Sequence, residues 1–110
     1  MPHRRQAQPQ WRDPVQAWRR RQVAPFDPAT GVQLVEVDLP RRTRVDYPPW
    51  QGGRYAQRLW LLEGRLRVGW GDETFELESG DALDLEVDRA LSFQSAGDAG
   101  CRYLLVIAAH

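Results

Sequence analysis

Hydrophobic and polar residues alternate with a period of two from residue 23 to the end of the chain. In the stretch VQLVEVDLP (32–40), Val35, Val37 and Leu39 alternate with polar or acidic residues. Successive side chains of a β-strand point to opposite faces, so this period is typical of strands with one buried face. Comparable stretches follow along the chain: RTRVDYP, RYAQRLWLL, RLRVGW, ETFELES, ALDLEV, ALSFQS and CRYLLVIAA. The pattern predicts a chain built mainly of short strands.

Short turn sequences separate these stretches. They are Glu63-Gly64, Gly71-Asp72, Ser79-Gly80-Asp81 and Ala96-Gly97-Asp98. Glycine and aspartate favour turns because they tolerate the backbone conformations that tight turns need. Several short strands separated by turns indicate an antiparallel sandwich or barrel. The predicted fold class is therefore all-β.

Residues 1–22 lack the alternation. Three prolines interrupt this segment: Pro2, Pro9 and Pro14. Because proline removes a backbone donor and restricts the chain, it breaks up regular structure. We therefore predict an irregular basic N-terminal arm over residues 1–22, with Trp11 and Trp18 as anchors, and a β-domain over residues 23–110.

The charge of the chain is zero in total but unevenly distributed. Residues 1–22 contain six Arg and one Asp, whereas residues 23–110 contain nine Arg and fourteen acidic residues. All basic side chains other than histidine are Arg, and a GC-rich coding sequence explains this more simply than phosphate recognition does. An arginine cluster without a folded recognition element binds nucleic acid only weakly. A nucleic-acid partner is not expected for this chain alone.

Length and composition fit one cytoplasmic domain. A chain of 110 residues with 42% hydrophobic residues can bury its own core. No apolar run approaches the roughly 20 residues that span a bilayer, and the Arg-rich N-terminus does not resemble a secretory signal. The single cysteine, Cys101, begins an apolar strand and is predicted to be a buried, inert thiol.

Two predicted strands are apolar on both faces. In RLWLL, Leu59 and Leu61 share one face, yet Trp60 and Leu62 occupy the other, and YLLVIAA shows the same pattern. A strand with one solvated face does not have this pattern. Either the N-terminal arm or a second copy of the chain covers the outer face, and we expect a homodimer.

The run LWLLEGRLRVGWGDETFELESGDAL (59–83) resembles the cupin superfamily in its order of strands and of Glu-Gly and Gly-Asp turns. The likeness is closest to the small cupin domain that follows a helix-turn-helix domain in many bacterial regulators, and it covers residues 31–109. The resemblance implies a small antiparallel jelly-roll β-barrel. It also implies a ligand-sensing role, although no helix-turn-helix half is part of the resemblance.

Cupins that hold a metal supply a pair of histidines, a glutamate and a third histidine. The resemblance places the glutamate position at Gln57 and the third histidine near Leu91. The histidine pair falls near Gln51 and Gly53, or near Trp50 and Gly52, and the two histidines present, His3 and His110, lie at the chain ends. Amide, glycine and leucine side chains do not form an imidazole–carboxylate site. We predict a domain with neither metal nor cofactor.

Strand parity suggests what replaces the metal ligands. Residues that point inward near the mouth of the fold would line a pocket with one polar amide among aromatic rings, which is the usual form of a small-molecule site. The predicted ligand-binding residues are Tyr47, Trp50, Tyr55, Gln57, Trp70, Leu91, Phe93 and Tyr103. Any one of them alone could instead be a core residue.

The loop PPWQGG (48–53) is interpreted either as a gate over this pocket or as a surface loop whose tryptophan packs on the fold. The main functional hypothesis is a metal-free sensor domain whose small-molecule ligand is oriented by Gln57 and Arg102. No catalytic residue is assigned. The alternatives are a metal-independent isomerase or lyase, with Tyr55 or Tyr103 as acid and base, and a purely structural dimerisation module with a filled interior.

Overall fold

The computed structural model of the chain describes residues 2–50 and 55–109. These residues form ten strands, preceded by a single turn of 3-10 helix over Arg5–Ala7. The strands are β1 (Gln10–Arg12), β2 (Arg19–Asp27), β3 (Val32–Leu39), β4 (Arg44–Tyr47), β5 (Tyr55–Glu63), β6 (Arg65–Trp70), β7 (Glu73–Glu78), β8 (Ala82–Glu86), β9 (Leu91–Ala96) and β10 (Cys101–Ala109). The all-β prediction is confirmed, and each alternating stretch forms a strand.

The strands form two antiparallel sheets. One sheet has six strands in the order β1-β2-β3-β10-β5-β8, and the other has four in the order β4-β9-β6-β7. The chain crosses between the sheets at several turns, including the one between β5 and β6. The jelly-roll prediction is confirmed as a two-sheet sandwich, because the sheets of the described residues do not close into a barrel.

The core fills the space between the sheets. Leu61, Leu66 and Val68 are fully buried there, as the alternation along β5 and β6 predicts. Aromatic rings fill the middle of this layer, where Phe93 of β9 stacks on Tyr103 of β10 with 5.6 Å between ring centroids. In a small domain, the burial of such large apolar side chains is the main source of stability.

The N-terminal segment is not an irregular arm throughout, and that part of the prediction is wrong. β1 pairs with β2, and β2 pairs with β3, so these residues extend the six-stranded sheet. Trp18, a predicted anchor, is buried in the core and meets Trp11 edge-on, with 4.9 Å between ring centroids. The predicted boundary at residue 22 falls within β2.

The prolines of residues 1–22 do not prevent this pairing because all three lie outside the strands. Pro9 precedes β1, and Pro14 lies in the connection between β1 and β2. Asp13 stabilises that connection: its Oδ2 accepts the backbone N–H groups of Val15 and Gln16, at 3.1 and 2.6 Å. Side chains at the start of β2 point alternately to the two faces of the sheet. Arginines occupy these positions, so a hydrophobicity pattern does not show the alternation.

The outer face of the six-stranded sheet exposes apolar side chains among charged ones. Trp60 is 50% exposed there, and the N-terminal strands lie beside β3 rather than over this face. Of the two coverings considered for the outer face, the arm is therefore not the one present. Among the described residues, no helix has the length and hydrophobicity that a membrane crossing needs.

Candidate functional site

A cavity of about 430 Å³ lies between the two sheets. Seven of the eight predicted ligand-binding residues line it: Tyr47, Trp50, Tyr55, Gln57, Leu91, Phe93 and Tyr103. Strand register brings them together, because Tyr47 of β4 pairs with Leu91 of β9, while Gln57 of β5 pairs with Ile107 of β10. The cavity is thus bounded by the facing sides of both sheets.

Aromatic rings dominate the wall of the cavity. Tyr47 meets Phe93 edge-on at 5.9 Å between centroids, and Trp50 meets Tyr55 edge-on at 5.6 Å. The backbone N–H of Trp50 donates to the carbonyl of Val87 at 2.8 Å, and this hydrogen bond fixes the backbone of Trp50 beside the cavity. The gate interpretation of the loop stays a prediction, since residues 51–53 lie outside the described residues.

Trp70 is the predicted site residue that the cavity does not include. Its indole Nε1–H donates to the carbonyl of Glu86 at 2.9 Å, and the guanidinium of Arg89 lies 4.3 Å from the ring centroid. These contacts hold the ring against the connection between β8 and β9. Parity along β6 gives the side of the sheet correctly, but it does not show that the last residue of a strand turns towards a neighbouring loop.

Gln57 has an unsatisfied acceptor. Its Oε1 is buried and has no hydrogen-bond partner among the described residues. A buried polar atom without a partner costs about 1–3 kcal/mol, so such atoms are rare. At the wall of a cavity, an acceptor of this kind can receive a hydrogen bond from a bound molecule.

Two polar residues of the wall are absent from the sequence-based site. Gln33 of β3 pairs with Ile107 on the side opposite Gln57, and Arg20 of β2 pairs with Val37. In a strand, the middle one of three consecutive arginines points to the opposite face from the other two. This would have placed Arg20 at the cavity, but only if residues 19–21 had been recognised as part of a strand. Arg102, predicted to orient the ligand, instead lies on the outer face and donates to Glu36 and Glu63 at 3.3 and 3.1 Å.

The phenol groups of the cavity have altered proton affinities. Burial raises the pKa of Tyr103 well above the ordinary value for a tyrosine. Burial also raises the pKa of Tyr47, although the neighbouring Arg20 guanidinium, which is hydrogen-bonded to it, acts in the opposite direction. Both phenols are therefore protonated at neutral pH, and Tyr103 in particular is a weak candidate for a general base.

The cysteine behaves as the sequence predicts. Cys101 is buried at the start of β10, and burial, followed by the nearby carboxylate of Asp38, raises the pKa of its thiol to about 12. Because the thiolate is the nucleophilic form, this thiol is protonated and inert at neutral pH.

Comparisons with known proteins identify the architecture. No family model matches the sequence, and no curated protein matches it either. The structure superposes on a cupin domain of an XRE family transcriptional regulator from Enterobacter cloacae with a TM-score of 0.79 and 14% identity, covering 86% of this chain and 99% of that one. The chain has the cupin fold.

Two further cupin-fold neighbours are longer proteins. An HTH_3 family transcriptional regulator from Vibrio cholerae matches with a TM-score of 0.80 and 17% identity over 88% of this chain. Hydroxypropylphosphonic acid epoxidase from S. wedmorenis matches with a TM-score of 0.80 and 17% identity over 96% of this chain. The chain spans 54% of the regulator and 58% of the epoxidase, so the likeness concerns one part of each.

The described part of the cavity does not fit the metal site of cupins. Gln57 and Leu91, at two of the predicted ligand positions, line the cavity, but an amide and an alkyl group are poor ligands for transition metals. No group of three or more His, Cys, Asp or Glu side chains suited to a metal occurs in residues 2–50 and 55–109. The positions Gln51, Gly52 and Gly53 lie outside these residues, and metal-free function stays a prediction.

Proposed function

We propose that this chain is a metal-free cupin domain that binds a small molecule between its sheets and acts in the cytoplasm as the sensor part of a regulator. The observation that carries the proposal is an aromatic cavity of about 430 Å³ whose wall includes the unpartnered Oε1 of Gln57. Small-molecule sites are commonly apolar cavities of about 300–1,000 Å³ with a few polar groups that fix orientation. The fold neighbours named as transcriptional regulators support the sensor part.

The alternatives have less support. An open cavity disfavours a structural module with a filled interior. An enzyme that uses Tyr103 as its base would need a phenol with a lowered pKa, whereas burial raises it. The epoxidase among the fold neighbours shows only that this fold also carries enzymes.

Gln57→Leu tests the role of the amide. We expect the ligand-free variant to be more stable to urea than the wild type by about 1 kcal/mol, because the change removes a buried acceptor without a partner. The same variant should bind a hydrogen-bond-donating ligand more weakly, by roughly tenfold. Native mass spectrometry of freshly purified protein would compare how much of any retained small molecule each variant keeps.

The control is Gln33→Leu, the same replacement on the other side of Ile107. Its side chain has no buried atom without a partner, so no gain in stability is expected. Urea stability and ligand retention in Gln57→Leu that equal those of the wild type would remove Gln57 from the site.

We also propose that the domain is a homodimer formed through the outer face of the six-stranded sheet. Leu104 and Val106 lie on this face between apolar and charged neighbours: Leu104 pairs with Trp60 and Glu36, and Val106 pairs with Leu34 and Arg58. Ion pairs border it, including Arg58 with Asp84 at 2.8 Å. Exposed apolar side chains bordered by charged ones are common in protein interfaces.

Trp60→Glu should convert the dimer to a monomer, because a carboxylate in the centre of the interface would be buried without a partner. Native mass spectrometry reports the subunit number directly, and elemental analysis of the same sample reports any metal. Trp50→Glu is the matched control, since Trp50 is 52% exposed, against 50% for Trp60, but lies at the cavity. A wild type that is already monomeric would contradict the dimer, and a stoichiometric transition metal would contradict the metal-free site.

A further inference from the structure

Three consecutive arginines at the start of β2 have different surroundings. Arg19 pairs in register with Asp38 and Arg21 with Glu36, so both lie on the outer face of the sheet beside acidic residues. The Arg21 Nε lies 3.8 Å from a carboxylate oxygen of Glu36. Arg20 lies between them, pairs with the apolar Val37 and lines the cavity on the inner face. Strand parity alone therefore directs one positive charge into the sandwich.

The charge of Arg20 has no counterion in the described protein. No carboxylate of residues 2–50 and 55–109 lies within 4.0 Å of its guanidinium, and the described lining of the cavity contains no Asp or Glu. The guanidinium is hydrogen-bonded to the neutral hydroxyl of Tyr47. A guanidinium has five N–H donors, so a bond to one phenol oxygen leaves most of them available. A partly buried cation is stabilised when an anion pairs with it.

The other lining residues indicate what kind of group a bound anion would carry beside its charge. The rings of Tyr47, Phe93 and Trp50 lie in the wall and make much of it apolar, which favours a hydrophobic ligand. A single guanidinium among the described lining residues matches one negative charge. Its planar fork also matches the two oxygens of a carboxylate, which it binds through two parallel hydrogen bonds.

We infer that the cavity takes small apolar carboxylates, with the carboxylate on Arg20 and the apolar body against the aromatic wall. This inference rests on the proposed small-molecule site and names its ligand class. It assigns to Arg20 a binding role that differs from those of Arg19 and Arg21, whose charges already face acidic residues of β3.

The test uses pairs of compounds of nearly the same shape, an anionic carboxylate and a neutral amide whose N–H groups can also donate to Gln57: benzoate and benzamide, phenylacetate and phenylacetamide, cinnamate and cinnamamide. Binding to the full chain is measured by titration followed by ¹H–¹⁵N NMR, which detects weak ligands and also observes the Arg20 side-chain Nε–H. We expect at least one carboxylate to bind about tenfold or more tightly than its amide, since a charge-assisted bond is lost in the amide. That carboxylate should shift the Arg20 Nε–H resonance.

Arg20→Gln should abolish the preference for the carboxylate, whereas Arg21→Gln, the matched change on the outer face, should keep it. Backbone spectra show whether each variant is folded. If Arg20→Gln does not fold, the Arg20 Nε–H resonance of the wild type decides, because a carboxylate that binds without moving it is not held by Arg20.

The outcomes separate the two proposals. Amides that bind as tightly as carboxylates, or a preference that survives Arg20→Gln, would overturn the ligand class and leave the small-molecule site in place. Failure of every compound to bind the wild type would count against both.

Discussion

Leu61→Ala is expected to lower the free energy of unfolding by about 2–5 kcal/mol. Leu61 is fully buried near the end of β5, and its side chain faces the opposite sheet. Its backbone is also held by the turn between β7 and β8: the N–H donates to the Asp81 carbonyl at 2.9 Å, and the carbonyl accepts the Gly80 N–H at 2.8 Å. On the other side of the strand, Leu61 pairs with Tyr103 of β10. The surrounding chain therefore has little freedom to collapse into the cavity that the mutation leaves. Urea denaturation followed by tryptophan fluorescence would measure the loss.

Leu83→Ala provides the matched control. Leu83 lies on β8, at the edge of the same sheet, and is only partly buried against the core. The same three carbon atoms are removed, but part of that surface is already in contact with water, so the loss should be smaller. Equal losses for the two variants, measured at one protein concentration, would mean that the inner face of β5 is not the centre of the core.

The alternation of β5 and β6 was sufficient to predict this core from the sequence. Leu59 and Leu61 share one face of β5, Leu66 and Val68 share one face of β6, and all four are buried. The prediction succeeds because each strand has one side against the opposite sheet, so burial and the period of the backbone agree. The turns between strands were predictable for a similar reason, since glycine and aspartate are required by local backbone conformation.

The N-terminal strands could not be predicted in this way. β1 and β2 are rich in arginine, and the aliphatic stems of long charged side chains can cover apolar surface while their heads stay in contact with water. β1 pairs with β2, and β2 pairs with β3, so these residues are strands because of their partners and not because of a hydrophobic pattern of their own. A local pattern contains no information about such a partner.

The sequence likewise predicted one part of the candidate site and missed another. Parity placed Tyr47, Gln57 and Phe93 on inner faces, and all three line the cavity. It missed Arg20 because that residue was assigned to an irregular arm, and it misplaced Trp70 because contacts with Glu86 and Arg89 decide where its ring lies. Which side of a strand a residue occupies is a local property. Which inner residues border empty space depends on how the two sheets pack.

Gly64→Ala is expected to lower the free energy of unfolding by about 2–5 kcal/mol, as the sum of two effects. Gly64 has a φ of +84°, and an alanine in this left-handed conformation costs about 1–2 kcal/mol. A Cβ atom at this position would also lie 2.5 Å from the Gly100 carbonyl oxygen and 2.9 Å from the Cβ of Cys101. Relieving such an overlap moves backbone, which typically costs about 1–3 kcal/mol more.

Gly80→Ala separates these effects. Gly80 has a φ of +94°, but nothing lies within 4 Å of the position its Cβ would occupy. This variant should lose only the conformational term of about 1–2 kcal/mol. If urea denaturation gives equal losses for both, the close approach of Gly64 to β10 contributes nothing.

The location of Gly64 gives the difference between these variants a functional meaning. Gly64 connects β5 to β6 and so joins the two sheets, while Gly100 and Cys101 lead into β10 at the centre of the six-stranded sheet. Two residues further along β10 is Tyr103, whose ring stacks on Phe93 in the cavity wall. A displacement at Gly64 large enough to accommodate a methyl group should therefore also change the cavity. Chemical shifts of residues near Tyr103 should move in Gly64→Ala and stay unchanged in Gly80→Ala.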